Sequence, residues 1–201
     1  MEKSLNTYER MIEHVFIMAL FAVYSVFGLL ITTGAALSAG FATARSLKSD
    51  PPEAPTHVMF HRHFMETFKP STIAWAIMVA IGLGITQLYF WAFDPAVSWR
   101  LVIFYILLFY WVIFMLYIFP VNSVFKHRSI LHALKNTTLI IHLHPLVLAR
   151  MLIIASVVFL LVDGVHAILT PVAITLYFYL QARWLSPTFD FYIKRLRAQT
   201  E

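Results

Sequence analysis

The sequence predicts an all-α fold: a polytopic membrane helix bundle of about five transmembrane helices, with amphipathic helices on its cytoplasmic side. Three observations predict it. Hydrophobic residues fill 60% of the 201 positions and charged residues only 12%, about half the charge of a soluble domain. Uncharged apolar runs recur at about 20 residues, the length that crosses roughly 30 Å of hydrocarbon. Lys and Arg gather in alternate connecting segments, as topology demands of inward-facing loops.

The first run, 15–31, follows Lys3 and Arg10 and passes into TTGAALSAGFATARSL, a small-residue stretch at 32–47. That stretch is too weakly apolar to cross alone. Gly, Ala and Ser allow helices to approach closely, so it is expected as a broken extension packed on the bundle. A secretory signal is the competing reading of this end, and the length of the apolar run argues against it. The next segment, 57–69, places Phe60, Phe64 and Phe68 at i, i+4 and i+8, with Arg62, His63, Glu66 and Lys69 elsewhere. This is an amphipathic helix, and Pro70 separates it from a span at 71–93. A third span, 101–119, ends at Pro120. A second amphipathic helix, 128–144, carries Arg128, His132, Lys135 and His142 on one stripe, with Ile130, Leu131, Leu134, Ile140 and Ile141 away from it. Pro145 suits the first turn of a new helix, so the chain bends there into spans at 146–162 and 167–185. Two parallel units of amphipathic helix, Pro, span, turn, span, Pro and basic tail are one reading of this order. Chance is the other, because inward-ending spans tend to finish basic.

Segments 42–70, 121–150 and 183–201 carry four Lys or Arg each, whereas the turns 94–100 and 163–166 hold only Arg100. The C-terminus is therefore expected in the cytoplasm and the N-terminus outside, unless 32–47 crosses. The same distribution assigns the net charge of +5 to topology rather than to nucleic acid, which is not expected as a partner.

Catalytic chemistry is hard to find. With no cysteine, thiol-based metal or redox sites are unavailable. P-loop, GxSxG, HExxH and GxGxxG motifs do not occur. The His61/His63 and His142/His144 pairs diverge by about 200° on a helix, whereas helical metal ligands stand at i, i+3 or i+4. His57 and His61 have that spacing but no evident third ligand. Glu13, Asp94, Asp163 and Asp190 fall at span ends, not at mid-membrane where a proton relay needs them. Gln181 and Arg183 are the best intramembrane polar candidates, and Asp190 with Lys194 reads as a surface i, i+4 pair. No enzyme activity, cofactor or metal is expected.

Three stretches carry a family resemblance. FHRHFMETFKPSTIAW (60–75), with Phe60, Arg62, Phe64, Phe68, Lys69, Thr72 and Trp75, resembles the phenylalanine-and-basic run of the YesL-like membrane proteins of Gram-positive bacteria. ITTGAALSAGFATARSL (31–47), with Thr32 and Gly34, is similar to that family's Thr-x-Gly-Ala-Ala segment. YIFPVNSVFKHRSILHALKNTTLIIHLHP (117–145), with Pro120, Lys135, Asn136 and Pro145, resembles its third motif. Leu29 and Pro70 depart from the pattern, where the family often has Pro and Gln. The family's molecular function is unknown, and its members tend to be encoded beside carbohydrate-uptake systems. The resemblance thus implies an accessory or assembly component of carbohydrate (ABC-type) import in the bacterial plasma membrane, with the bilayer and importer permease subunits as partners. Arg62, Lys69 and Lys135 are the expected partner-facing cations. A stand-alone small-solute carrier or channel is the alternative; it requires polar residues facing one another across the bundle.

Overall fold

The structure, a computed structural model, describes residues 7–28, 30–48, 53–92, 99–125, 129–164 and 170–198. Every regular element among them is helical: α1 (Thr7–Phe27), α2 (Thr33–Ser46), α3 (Thr56–Ala92), α4 (Trp99–Val124), α5 (Ile130–Leu143), α6 (Pro145–Gly164) and α7 (Thr170–Ala198).

The break between α1 and α2 has a local cause. Leu30 takes a φ of 63°, which ends the helical path. Thr32 Oγ1 donates to the Tyr24 carbonyl at 2.6 Å, an acceptor shared with the Gly28 N–H at 3.3 Å, and so ties the start of α2 to the last turn of α1. Gly28 is required here, since a Cβ on it would lie 1.9 Å from that hydroxyl. Leu29, where the family pattern is broken, lies outside the described residues.

The chain then reverses into α2, on which four other helices pack. Residues Gly34 to Ala36 and Ser38 to Ala44 are all buried, and α2 touches α1, α3, α4 and α7. Small side chains make this possible. A Cβ on Gly34 would sit 2.4 Å from the Ser71 carbonyl oxygen and 2.6 Å from Trp75 Cβ, and one on Gly40 would strike the Phe178 ring. One turn after Gly34, Ser38 shares a 2.7 Å hydrogen bond with Ser71 on α3 and reaches the Phe119 carbonyl of α4 at 3.1 Å. The expected packed extension is therefore a separate central helix.

Pro70 does not break the chain as expected: 57–69 and 71–92 form one 37-residue helix, about 55 Å long. Proline withholds one N–H and frees the carbonyl four residues before it. Both Pro70 and Glu66 are exposed, so the freed carbonyl faces outward and α3 runs on. Pro187 and Arg183 repeat this arrangement on α7. Pro120 is different because it is buried, and the carbonyl it frees, that of Leu116, accepts from Gln181 Nε2 at 2.9 Å. Gln181 also donates to Tyr177 OH at 2.8 Å. The amide read as an intramembrane polar candidate thus completes a backbone bond, and α4 continues to Val124.

At Pro145 the expected bend is present, α5 and α6 turning by 99°. Ser129 caps α5, and His144 Nε2 meets Tyr192 OH of α7 at 2.9 Å beside the bend. The buried face of α5 is Ala133, Thr137, Ile140 and Ile141; Leu131 and Leu139 point outward with His132, Lys135 and His142, which differs from the expected apolar set. Arg128 lies outside the described residues.

By length and composition three helices can cross a membrane, through windows Tyr8–Phe27, Thr56–Phe90 and Trp99–Val124, or up to four if α5 and α6 form one broken span. The stretches expected as spans at 146–162 and 167–185 are helical where described, within α6 and α7. Neither qualifies alone among the described residues. In α7, Gln181, Arg183, Asp190 and Lys194 interrupt the apolar character.

Candidate functional site

A polar cleft opens at the end of the bundle where α2 and α4 finish. The last turns of α2 supply Arg45 and Ser46, with Lys48 just beyond; Glu53 precedes α3, and His63 lies two turns into it. Ser123 comes from the end of α4, and Ser186 and Asp190 come from α7. The volume is about 370 Å³. Pairing within it is specific. Arg45 bonds Asp190 at 2.5 Å, Arg62 bonds Glu53 at 3.1 Å outside the cleft, and Lys48 Nζ donates to the Ala182 carbonyl at 2.8 Å. His63 shares a 3.4 Å contact with Ser46 across α2 and α3. Lys48 is reachable from outside, yet the protein crowded around its ammonium strips hydration and pushes its pKa below the ordinary lysine value. Asp190 opposes that shift, while Arg45 and Arg183 reinforce it.

A second cleft, about 550 Å³, runs along α3 and α4 under Leu134 of α5. Met78, Ile81, Ile85, Leu107 and Phe114 make it almost wholly apolar, and Gly84 leaves its floor open, since a methyl group there would meet nothing within 4 Å. Trp111 closes one end by donating to the Met78 carbonyl at 2.8 Å, an approach that Gly82 permits.

The residues singled out in the sequence separate by location. Gly34, Trp75 and Pro120 lie at the α2–α3–α4 junction, where the Trp75 and Phe119 rings stand 6.1 Å apart; half-buried Thr72 has a hydroxyl with no hydrogen-bond partner. Phe60 and Phe64 are buried against Tyr24 of α1, while Phe68 is 40% exposed, so the phenylalanine stripe is shared between core and surface. Thr32 caps α1. Lys69, Lys135 and Pro145 are exposed, Arg62 is tied to Glu53, and Asn136 is half-buried. None of these lines the polar cleft.

Arg45, Lys48, His63 and Asp190 received no site role from the sequence. Arg45 and Lys48 counted only toward topology, and Asp190, 145 positions from Arg45, was matched with Lys194. The available signal was two cations, Arg45 and Lys48, at the end of a small-residue stretch.

The histidines do not converge. His61 bonds Tyr24 OH at 2.7 Å, His142 bonds the Thr138 carbonyl at 2.8 Å, and His144 bonds Tyr192. Among the described residues, no three of His, Asp and Glu gather as a metal site would require.

Fold and clefts together define a class: an all-helical chain with three candidate membrane-spanning helices, compatible with a membrane protein. Compared with protein families, curated proteins and solved structures, the chain finds no match.

Proposed function

We propose that the chain is an accessory or assembly subunit of a membrane transport complex, in the carbohydrate-importing ABC class that the sequence resemblance implies. It would lie in a bacterial plasma membrane, with the polar cleft and the C-terminus on the cytoplasmic side. One observation carries the reading: the interior polar groups that cross between helices are largely spent on structure. Ser38 joins α2 to α3 and α4, and Gln181 repairs the carbonyl freed by Pro120. Both clefts instead open on the outside of the bundle, one polar and one apolar, as suits a body that binds partners.

A stand-alone carrier is the second reading. It draws on Tyr117 OH and the Asn122 amide, buried on α4 with no hydrogen-bond partner, which mark an interior able to hold water or a polar solute. Affinity purification from native membranes separates the two. The accessory reading expects permease subunits to co-purify and Arg62→Glu or Lys135→Glu to reduce their recovery without lowering the chain's own abundance. Recovery of the chain alone, with uptake of labelled sugar into liposomes containing nothing else, would favour the carrier.

A further inference from the structure

We infer that the polar end cleft is a binding site for a phosphate group, from either an acidic phospholipid headgroup or free phosphate, with Arg45 and Lys48 as its principal donors. Unspent donor capacity is the first argument. The Arg45 guanidinium has five N–H groups and one bond to Asp190; the Lys48 ammonium has three and one bond, to a neutral carbonyl. Ser46, Ser123, Ser186 and His63, from four helices, line the same space; the Ser123 and Ser186 hydroxyls donate to the Pro120 and Ala182 carbonyls, so the spare donors are those of Arg45 and Lys48.

Charge is the second argument. The lining sets Arg45 and Lys48 against Glu53 and Asp190, and just outside it Arg62 and Arg183 stand against Glu66, leaving a surplus of one positive charge in the region. The C-termini of α2 and α4 oppose it with about half a charge each. On this unfavourable count the region comes out roughly neutral, so an anion is not repelled and its affinity rests on the donor groups of Arg45 and Lys48. The carboxylates do not block the site, because each is already held by a guanidinium. An anion that reached Lys48 would add to the counter-charge that Asp190 already offers the crowded ammonium.

Location is the third argument. The cleft lies at the bundle end richest in Lys and Arg, where a membrane protein meets phospholipid phosphates, and anionic leaflets favour such contacts. The inference does not depend on the accessory reading. A carrier or a subunit could hold a phosphate here, and failure of co-purification leaves it untouched.

The test is thermal unfolding of the full chain in detergent, followed by its five tryptophans. Inorganic phosphate is titrated at constant ionic strength against chloride, and in a parallel arm phosphatidylglycerol is titrated against phosphatidylcholine in mixed micelles. The midpoint should rise with phosphate, with phosphatidylglycerol or with both. A response to phosphatidylglycerol alone identifies the lipid headgroup as the source, and one to phosphate alone identifies the free anion. Lys48→Gln should weaken the apparent affinity by about tenfold or more, while Lys48→Arg and the remote Lys135→Gln keep it. Asp190→Asn should strengthen it by freeing Arg45, a gain that damage to the fold does not produce. The inference is overturned if neither arm raises the midpoint, if chloride does so equally, or if Asp190→Asn fails to tighten binding.

Discussion

The α2-centred bundle and the outer half of the α3–α4 hairpin are both apolar helical structure, and they are built on opposite principles. In the bundle, Gly34, Ala35, Ala39 and Gly40 remove side-chain volume so that helices touch, and Ser38, Ser71 and Gln181 bond across the contacts. In the hairpin beyond Met78, Ile85 and Phe104 alone are buried among the described residues, while Leu83, Phe90, Val102 and Tyr105 stand 56–71% exposed. Apolar composition alone does not distinguish a helix that packs on protein from one that packs on lipid. Small residues and satisfied polar bonds do, because without a hydrophobic drive between helices in lipid, close contact and hydrogen bonding hold a bundle together.

Glycine substitutions test that contrast at its extremes. Gly34→Leu forces atoms into the Ser71 backbone and the Trp75 stem, neither of which is a flexible side-chain end; a loss of at least about 3 kcal/mol is expected, seen as failure to recover folded protein. Next in size is Gln181→Leu, which leaves the Leu116 carbonyl unpaired and costs about 1–3 kcal/mol in thermal or denaturant unfolding. Adding Pro120→Ala restores an N–H to that carbonyl, so the double variant should recover part of the loss; an additive cost would refute the repair. Tyr192→Phe removes only the hydroxyl that holds His144 beside the bend and should cost about 1 kcal/mol. The smallest effect belongs to the hairpin. Gly84→Ala meets open space, and its helix propensity makes it neutral or stabilising by up to about 1 kcal/mol. A large loss there would mean that the groove floor packs against something.

Much of the architecture is legible in the residues. Long uncharged runs mark helices, Pro145 marks the bend, and the small residues of 32–47 mark close packing. Proline proved an ambiguous punctuation mark. Pro145 starts a helix, whereas Pro70, Pro120 and Pro187 lie inside helices because each freed carbonyl either faces outward or meets Gln181, and that partner lies 65 positions from Leu116. The cleft was hidden for the same reason: Arg45, Glu53, His63, Ser123 and Asp190 share no local pattern, and only the reversal of α2 against α3, α4 and α7 gathers them. The aromatic and basic stretch at 60–69 drew attention because its periodicity is local, yet its buried half serves packing against Tyr24.

The proposed function places the outer α3–α4 hairpin in hydrocarbon and the polar cleft in cytoplasmic water. The chain has no cysteine, so a single introduced thiol reports without background. Leu83→Cys and Glu53→Cys, each 64–65% exposed as native side chains, can be treated in intact and in opened cells with a charged maleimide. Leu83→Cys is expected to stay unlabelled in both, and Glu53→Cys to label only after opening. Leu83→Cys reacting as fast as Glu53→Cys, or Glu53→Cys labelling in intact cells, would contradict the claim.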